Sequence, residues 1–569
     1  MDYQQEYQRW CAQPLQDEDL TKELDSIQGC QEEIYDRFYR SLEFGTAGLR
    51  GVLGAGTNRM NIYTVGLATQ GLACYLKDQY DAPSVAIAYD SRIKSDVFAR
   101  EAARVLAANG VQVHLYPQLM PTPALSFAVR HLRCQAGIVV TASHNPAKYN
   151  GYKVYGPDGC QLTEKGANAV LKAMGERDLF EGVLRMDFDR ALEQGSIRYI
   201  GQDTVEAYLQ AVLQVQVNPG LCSKAGLKVV YTPLNGAGNY CVRQILSRIG
   251  IQDVTVVPEQ EMPDGNFPTC PYPNPEIREA LAKGLELCEK VQPDLLLATD
   301  PDSDRVGIAV KDQGQFHLLT GNQVGVLLTD YIARCRQEQG TLPKNPVVVK
   351  TIVTTTMVDA VAKPYGIQVV NVLTGFKYIG EQIALLEQKG ETDRFLLGFE
   401  ESYGYLSGPF VRDKDAVNGS MIICEMASYY KLQGKTLLDV LRELYAQVGY
   451  YYNTVVSYAF EGADGMKKMQ SIMEQLREHP LQEIGGFAVV GRGDYLLSKR
   501  WEKGAQEEIT LPKSNVLEYH LENGGTVIAR PSGTEPKLKI YYSLVGKDEQ
   551  ETQQIQEKLA NTLKPLLGQ

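Results

Sequence analysis

The strand–helix–strand unit that decides the fold reads Val85-Ala-Ile-Ala-Tyr89, then a helical stretch over 96–109, then Val111-Gln-Val-His-Leu115. Short apolar strands that alternate with helix-length amphipathic segments are typical of α/β layers. The same alternation begins again at Leu227-Lys-Val-Val-Tyr231 and at Val347-Val-Val-Lys350. Three modules of similar size predict three related α/β domains.

The pattern changes after residue 450. Strand-like runs at Tyr451–Tyr458, Phe487–Val490 and Thr526–Ala529 alternate with two helices, near 464–478 and 547–567. This alternation predicts a smaller α+β domain. Including a polar, helical lead-in, we expect domains at 1–215, 216–317, 318–450 and 451–569.

The composition limits the classes of partner. The 569 residues carry a formal net charge of −12, which argues against nucleic acid or an anionic membrane as the main partner. The 11 cysteines form no C-x-x-C pair, so we expect reduced thiols rather than a disulfide framework or a zinc site. No signal-peptide pattern and no apolar run near the ~20 residues of a membrane span is present. We therefore expect a soluble cytoplasmic protein.

A hydroxyl stands on the turn that follows the apolar run Ala136-Gly-Ile-Val-Val140. The turn reads Thr141-Ala-Ser-His-Asn-Pro146, so Ser143 occupies the exit of a predicted strand. A serine in this position is well placed for nucleophilic chemistry, but it needs an activating partner. His144 follows it directly, although a lone histidine is more often structural.

Asp300-Pro-Asp-Ser-Asp-Arg305 is the candidate metal loop. Its three carboxylates can converge on one hard cation on a tight turn, and few other oxygen ligands accompany them, which suits Mg²⁺ sharing a phosphate oxygen. An EF-hand is excluded, because its positions 6 and 12 would be Arg305 and Lys311. A solvated acidic turn is the alternative. Arg305 would offer a planar fork to a phosphoryl group.

Two later loops suit other parts of a phosphorylated sugar. Arg530-Pro-Ser-Gly-Thr-Glu-Pro-Lys537 combines a guanidinium with backbone N–H groups and hydroxyls on a sharp turn, which is typical of an anion-binding nest. Gly398-Phe-Glu-Glu-Ser-Tyr-Gly404 places carboxylates and a hydroxyl where they could bond sugar hydroxyls. Taken alone, the first is also compatible with an ordinary hairpin and the second with a surface loop.

Together these four segments resemble the α-D-phosphohexomutase superfamily. The matching strings are TASHNP with NGYK, TDPDSDR, GFEES and RPSGTEPK, in that order, and the segments Phe44–Gly51 and Leu373–Lys377 fit as well. The resemblance covers residues 40 to 545 and is nearest to the bacterial phosphoglucomutase branch related to mammalian phosphopentomutase.

The resemblance implies a four-domain, heart-shaped α/β architecture, with three similar α/β domains and a C-terminal α+β domain. It implies one Mg²⁺ per subunit, bound by Asp300, Asp302, Asp304 and the phosphate of a phosphorylated Ser143. The implied catalytic residues are Ser143, His144, Lys153, Arg50, Arg305 and Lys414. The implied substrate-binding residues are Thr374, Gly375, Lys377, Glu400, Ser402, Arg412, Arg530, Ser532, Gly533 and Thr534.

The implied reaction interconverts glucose 1-phosphate and glucose 6-phosphate, with glucose 1,6-bisphosphate as intermediate and activator. Lys153 is the first candidate for the general base, with a pKa lowered by surrounding cations, and His144 is the second. Some members carry a histidine where Gly404 stands here. The string Arg412-Asp-Lys414-Asp415 could supply a base instead.

Ser402 favours a hexose, because its hydroxyl is expected to bond the sugar O3 or O4. Mannose or ribose phosphate remains an alternative substrate within the superfamily. A Mg²⁺-dependent sugar phosphatase and a non-catalytic sugar-phosphate sensor are the alternatives outside it. The expected partners are small phosphosugars, with neither nucleic acid nor membrane, and the expected state is a monomer or homodimer.

Overall fold

The computed structural model describes residues 2–45, 48–460, 465–502, 504–532 and 537–567. The chain forms two compact units. The first comprises Met1–Thr320, Ile379–Phe395 and Ser402–Gly434, and the second comprises Gly321–Tyr378, Leu396–Glu401 and Lys435–Gln569. Across the described ranges, no helix combines the length and the apolar character that crossing a lipid bilayer requires.

The first sheet has six strands in the order β1-β5-β4-β2-β3-β6. Its strands are β1 (Gly48–Val52), β2 (Ser84–Tyr89), β3 (Gln112–Leu115), β4 (Ala136–Val140), β5 (Tyr149–Tyr155) and β6 (Ile197–Tyr199). Its helices are α1 (Tyr3–Cys11), α2 (Glu18–Ser26), α3 (Gln31–Phe38), α4 (Ile62–Gln79), α5 (Ser95–Ala108), α6 (Thr122–His131), α7 (Glu164–Gly175), α8 (Phe188–Glu193) and α9 (Gln202–Leu213). The predicted β2–α5–β3 unit and the helical lead-in are confirmed.

The antiparallel strand β5 contains the NGYK string, residues 150–153, which belongs to the predicted active site. It lies between β1 and β4 and runs antiparallel to both, whereas β2, β3, β4 and β6 are mutually parallel. The register aligns Lys153 with Val139 on β4, next to the loop that leaves this buried strand. Sequence patterning indicated the motif but not the reversed strand that positions it.

The second sheet has the order β11-β10-β9-β7-β8 and also belongs to the first unit. Its elements are α10 (Cys222–Ala225), β7 (Lys228–Thr232), α11 (Gly238–Arg248), β8 (Asp253–Val256), α12 (Pro258–Glu261), a 3₁₀ turn (Arg278–Leu281), α13 (Ala282–Val291), β9 (Leu295–Thr299), β10 (Val306–Asp312) and β11 (Gln315–Leu319). The central β9 is buried throughout and ends immediately before the acidic loop. A fully buried central strand explains the unbroken apolar run Leu295-Leu-Leu-Ala298.

The third module contributes elements to both units. They are α14 (Gly321–Glu338), β12 (Val347–Thr351), α15 (Met357–Ala362), a 3₁₀ turn (Lys363–Tyr365), β13 (Gln368–Val372), α16 (Phe376–Gln388), a 3₁₀ turn (Thr392–Arg394), β14 (Phe395–Phe399), β15 (Tyr405–Leu406), α17 (Ala416–Lys431) and α18 (Leu437–Val448). Within the second unit, β12 and β13 pair in parallel. A Cβ at Gly325 on α14 would lie 2.1 Å from Cδ2 of Phe399, so only glycine lets the helix approach the strand end beside Glu400 this closely.

The fourth sheet is antiparallel and confirms the predicted α+β domain. Its strand order is β16-β23-β22-β21-β18-β19-β20, with β17 paired to β18. The elements are β16 (Tyr450–Ala459), α19 (Gly465–Glu478), β17 (Glu483–Ile484), β18 (Phe487–Asp494), β19 (Lys499–Glu502), β20 (Ala505–Glu508), β21 (Leu517–Leu521), β22 (Thr526–Pro531), β23 (Lys537–Gly546) and α20 (Glu549–Leu566). Apolar residues of the sheet and of both helices form one buried cluster on one face. The boundaries between the four domains stay a prediction.

Candidate active site

Ser143 lies on the loop that leaves β4, in a left-handed backbone conformation with φ +53°. Its side chain is buried, and its Oγ donates a hydrogen bond to Oδ2 of Asp300 at 2.9 Å. Nδ1 of His144 lies 3.2 Å from the same Oγ. The backbone N–H of Ser143 donates to Oγ1 of Thr141 at 2.7 Å, which fixes the turn locally. The predicted nucleophile is therefore held beside the predicted metal loop.

Arg92 holds the serine loop in place. Its guanidinium donates to four backbone carbonyl oxygens of this loop and of the residue that begins β5, namely those of Ser143, Asn145, Pro146 and Tyr149. Arg92 is fully buried beside Asp90, with Nε 3.5 Å from Oδ2 of that carboxylate. Asp90 Oδ2 in turn accepts from Oγ1 of Thr141 at 2.6 Å. One ion pair thus fixes the loop at both its start and its end.

The three aspartates converge as the sequence predicted. The loop between β9 and β10 turns at Ser303, whose φ is +53°, and the three buried carboxylates each bring an oxygen within 4.8 Å of the other two. Oδ1 of Asp300 accepts from the backbone N–H groups of Asp304 and Arg305, both at 3.0 Å. These bonds fold the loop around the first carboxylate.

The donor set fits a hard divalent cation. Oδ1 of Asp302 and Oδ1 of Asp304 are buried, and among the described residues neither accepts a hydrogen bond. A buried carboxylate oxygen without a partner is costly, and coordination to a cation would remove that cost. Three carboxylates without thiolate or imidazole ligands match the preference of Mg²⁺. The buried triad can therefore hold a metal ion.

Cationic side chains surround the carboxylates. Nζ of Lys153 donates to Oδ2 of Asp302 at 2.9 Å and lies 3.7 Å from Oδ2 of Asp304. Nζ of Lys414 lies 3.2 Å from that same oxygen of Asp304. Thr122, at the start of α6, donates through Oγ1 to Asp302 at 3.0 Å. These contacts offset the negative charge that the burial of three aspartates creates.

The lowered pKa predicted for Lys153 is wrong for this arrangement. Burial acts to lower the pKa of Lys153, but Asp302 and Asp304 outweigh it and raise that pKa above its usual value. The sequence argument considered the nearby cations and missed the two carboxylates in contact with the ammonium. Burial and the neighbouring arginines hold the pKa of His144 well below its usual value. Burial, followed by its two neighbouring aspartates, raises the pKa of Asp300.

The two predicted active-site arginines lie at the edge of this cluster. Arg50 is exposed on β1, opposite Gly151 of β5 in the antiparallel register, two residues from Lys153. Arg305 pairs with Glu276 through one guanidinium nitrogen, and its Nε lies 3.8 Å from Oδ1 of Asp304. Both guanidinium groups therefore belong to the same unit as Ser143 and the aspartates.

Lys414 explains the glycine at position 404. A Cβ on Gly404 would lie 2.2 Å from Cδ of Lys414, which is closer than any real contact. The lysine stem thus fills the space that a side chain at 404 would need. Its ammonium also pairs with Oδ1 of Asp413 at 3.1 Å, and Asp413 accepts from the hydroxyl of Tyr155 at 2.7 Å.

The contacts of Arg412 do not support the substrate-binding role predicted for it. Its side chain is fully buried, and its guanidinium donates to the carbonyl oxygens of Pro409 and Val411 and to Oε2 of Glu387 at 2.7 Å. A Cβ on Gly380 would lie 2.6 Å from the backbone oxygen of Arg412, so this segment packs closely on α16. Arg412 fixes the loop that carries Lys414.

The second unit contains most of the residues predicted to bind sugar. Glu400 is buried at the end of β14, and its Oε1 accepts from the backbone N–H of Gly375 at 3.0 Å. Oγ1 of Thr374 is buried and has no hydrogen-bond partner among the described residues. Nζ of Lys377 lies 4.9 Å from the ring centre of Tyr378. The segment that leads into α16 thus meets Glu400 at Gly375, whereas Ser402 belongs to the first unit.

The predicted phosphate loop lies at the end of β22. Arg530 pairs with Lys539 of β23 in register, and the N–H of Ser532 donates to the carbonyl of Lys537 at 2.8 Å. Burial, together with the charge of Glu401, raises the pKa of Tyr541 to about 12, against the opposing effect of Arg530. Arg530 therefore shares the second unit with the GFEE segment. Gly533 and Thr534, predicted to bind the same phosphate, lie outside the described residues.

Four domain descriptions of one family match consecutive parts of the chain. The phosphoglucomutase/phosphomannomutase α/β/α domains I, II and III match residues 41–180, 206–314 and 320–448, and the C-terminal domain matches residues 494–562. The chain belongs to the phosphoglucomutase/phosphomannomutase family. It is accordingly an isomerase of the intramolecular phosphotransferase class, and the family resemblance and the four-domain α/β architecture read from the sequence are confirmed.

Individual family members agree with this assignment. Proteins named phosphoglucomutase from Staphylococcus aureus strains MSSA476 and bovine RF122 are each 39% identical to this chain, over 520 and 516 residues, covering 90% of it and 92% and 91% of their own lengths. A family protein from Burkholderia thailandensis has the same fold, with a TM-score of 0.67 at 18% identity, covering 92% of this chain and 97% of its own. The open form of the Paramecium phosphoglucomutase pp63/parafusin also has a TM-score of 0.67 at 18% identity, covering 93% and 95%.

Sequence reasoning missed the residues that hold this family's serine and metal loops. Arg92 and Asp90 follow β2 in the string Asp-Ser-Arg, which resembles an ordinary polar turn. Thr122 begins a helix, where threonine is common as a capping residue. Their roles depend on contacts with residues 51 to 180 positions away, which no local pattern reveals.

Replacing Arg92 with lysine should slow turnover while leaving substrate affinity nearly unchanged. An ammonium cannot reach four carbonyl oxygens, and a misplacement of the reacting group by ~1 Å costs about a hundredfold in rate. We expect Arg92→Lys to lower kcat by about ten- to a hundredfold at similar KM. Steady-state kinetics and the thermal midpoint test this, with the exposed Arg198→Lys as matched control. A wild-type kcat in Arg92→Lys would show that the loop does not depend on the guanidinium.

Replacing Asp302 with asparagine should weaken metal binding. The amide keeps the size of the side chain and an acceptor for Lys153, but it removes one of the three charges that attract a hard cation. We expect the Kd for Mn²⁺, measured by electron paramagnetic resonance, to rise at least about tenfold. The same charge is removed in Asp253→Asn at the exposed start of β8, which should bind as the wild type does. Equal affinities in all three proteins would contradict the metal assignment.

Proposed function

We propose that this chain interconverts glucose 1-phosphate and glucose 6-phosphate through a phosphorylated Ser143 and a glucose 1,6-bisphosphate intermediate. The observation that carries the proposal is the 2.9 Å hydrogen bond from Ser143 Oγ to Asp300, within a cluster of three buried aspartates. Relatives named phosphoglucomutase, 39% identical over 90% of the chain, support glucose as the sugar. Small phosphosugars in the cytoplasm are the partners that this function requires.

In this proposal Asp300, Asp302 and Asp304 hold one Mg²⁺ per subunit. When bound, the ion neutralises charge on a phosphoryl group carried by Ser143. Arg50 and Arg305 supply further positive charge at the edge of the cluster and bind the oxygens of the transferring group. Lys414 offsets the charge of Asp304.

The phosphoryl group moves from Ser143 to the free hydroxyl of the sugar monophosphate. The bond between phosphorus and Ser143 Oγ breaks as a bond from phosphorus to the sugar oxygen forms, so the sugar hydroxyl must lose a proton and Ser143 Oγ must gain one. The bisphosphate then turns end for end and returns its other phosphoryl group to Ser143. No proton is lost over the cycle.

Two residues of the first unit are proposed as the proton carriers. His144, with Nδ1 3.2 Å from Ser143 Oγ, is placed to accept the serine proton when the bisphosphate returns a phosphoryl group to Ser143. Lys153 is the proposed acceptor of the sugar proton. Its pKa is raised by Asp302 and Asp304, and a divalent cation on the same carboxylates opposes that effect.

The second unit would hold the sugar and the phosphate that does not react. Glu400 is proposed to accept hydrogen bonds from sugar hydroxyls, with Thr374, Gly375 and Lys377 beside it. Ser402, of the first unit, is proposed as a further ligand of a sugar hydroxyl. Arg530, Ser532, Gly533 and Thr534 are proposed to bind the distal phosphate. A separate phosphate loop supports a mutase over a phosphatase, because it can retain a bisphosphorylated intermediate.

Substrate preference and dependence on Ser143 test the proposal together. We expect the highest kcat/KM for glucose 1-phosphate, compared with mannose 1-phosphate and ribose 1-phosphate. Loss of one buried hydrogen bond to a sugar hydroxyl costs ~1–3 kcal/mol, which corresponds to about five- to a hundred-and-fifty-fold in kcat/KM.

Ser143→Ala should abolish turnover of all three sugars, while the exposed Ser223→Ala keeps full activity. A preference for ribose 1-phosphate would overturn the choice of sugar. Full mutase activity in Ser143→Ala would overturn the mechanism, and release of inorganic phosphate without isomer formation would identify a phosphatase.

A further inference from the structure

The second unit contains a cavity that the proposed reaction does not use. It has a volume of about 530 Å³ and lies between the β12–α15 segment and the face of the fourth sheet that bears Thr526, Ile528 and Tyr541. Residues at alternate positions of a strand share one face. Ile528 and Tyr541 line the cavity as well, and Tyr541 interacts with Arg530, so the cavity extends to the strand end that carries the predicted phosphate loop.

Two side-chain donors at this cavity are buried without a partner. Within the part of the chain that is described, Nε of Arg500 and Nδ2 of Asn523 make no hydrogen bond. The Arg500 guanidinium is oriented by Glu518, to whose Oε2 it donates at 3.1 Å. The Asn523 amide is oriented by the N–H of Gly525, which donates to its Oδ1 at 3.0 Å. Both donors are therefore held by the fold, and unpaired buried donors are costly.

Three basic side chains and two carboxylates lie at the cavity. Lys350 is buried in its wall, with Nζ 3.3 Å from the carbonyl oxygen of Thr354 and 3.7 Å from Oδ2 of Asp359. His520 lies 3.5 Å from Oε1 of Glu518 and shares that carboxylate with Arg500. Three basic side chains thus face two carboxylates.

Hydroxyl groups from both walls also line the cavity. Oγ1 of Thr356 lies 3.3 Å from Oγ of Ser543, which also accepts from Nδ2 of Asn453 at 2.8 Å. Thr356 and Ser543 line the cavity together with Tyr451. Such groups both donate and accept, so they suit the hydroxyls of a polyol.

We propose that this cavity binds a small phosphorylated polyol beside the predicted phosphate loop, through residues that the proposed reaction does not use. Arg500 Nε and Asn523 Nδ2 donate to the phosphate oxygens, Lys350 supplies the nearest further positive charge, and Thr356 and Ser543 bond the hydroxyls of the ligand. The occupant contacts both the β12–α15 segment and the fourth sheet, so it links the parts of the second unit that carry the sugar loop and the phosphate loop.

Equilibrium dialysis with radiolabelled glycerol 3-phosphate tests this site. We expect Arg500→Gln and Asn523→Asp each to weaken the binding of glycerol 3-phosphate to this cavity at least about tenfold, because each removes a buried hydrogen bond to an anion. Lys499→Gln is the matched control: it removes one positive charge from the same strand, at an exposed residue that does not line the cavity. Arg530→Ala should retain binding of glycerol 3-phosphate to the cavity, because Arg530 does not line it.

Binding curves of Arg500→Gln and Asn523→Asp that match the wild type would overturn the proposal, as would loss of all binding in Arg530→Ala. Stronger binding of D-gluconate than of glycerol 3-phosphate would also overturn it, in favour of a carboxylate. Thermal midpoints show whether Arg500→Gln still folds. If it does not, the binding curve of Asn523→Asp, a change at a partly exposed turn, tests the proposal by itself. If the cavity variants lose binding and Arg530→Ala loses none, this site stands and the proposed role of Arg530 fails.

Discussion

Three aspartates buried on one short loop are the constraint on which the first unit depends. Negative charges within 4.8 Å of one another repel by at least about 3.5 kcal/mol per pair at an effective dielectric constant of ~20. The fold offsets this repulsion with Lys153 from β5 and Lys414 from the loop before α17. Two carboxylate oxygens still lack a partner among the described residues. The remaining negative charge is what suits this loop to a divalent cation and a phosphoryl group.

The serine loop places its hydroxyl beside those carboxylates. Arg92 fixes four carbonyl oxygens of the 143–149 segment, and its ion pair with Asp90 extends the support back to Thr141. Because the buried guanidinium of Arg92 bonds the carbonyl oxygens of the loop, it holds the Ser143 hydroxyl beside Asp300 without itself bonding that hydroxyl. In phosphoryl transfer, where catalysis consists mainly of positioning and charge neutralisation, such rigid support contributes directly to rate.

The sequence predicted much of the fold, because alternating apolar runs such as β2 and β9 have the period and length of buried strands. It also predicted the aspartate cluster, since residues at alternate positions of a tight loop can converge. It did not predict the raised pKa of Lys153, the brace formed by Arg92 or the packing of Lys414 over Gly404. Each of these depends on contacts between residues far apart in the chain, and local periodicity carries no information on them.

The central claim is that Ser143 carries the phosphoryl group beside the three aspartates. Peptide mapping by mass spectrometry, after incubation with glucose 1,6-bisphosphate and Mg²⁺ and then after a chase with excess unphosphorylated glucose analogue or glucose 1-phosphate, tests this directly. With ¹⁸O-labelled phosphoryl groups on the bisphosphate, the account predicts one labelled phosphoryl group on the peptide containing Ser143, exchanged for an unlabelled one by glucose 1-phosphate and retained with the analogue. A phosphoryl group on another residue, or a label that glucose 1-phosphate fails to exchange, would contradict it.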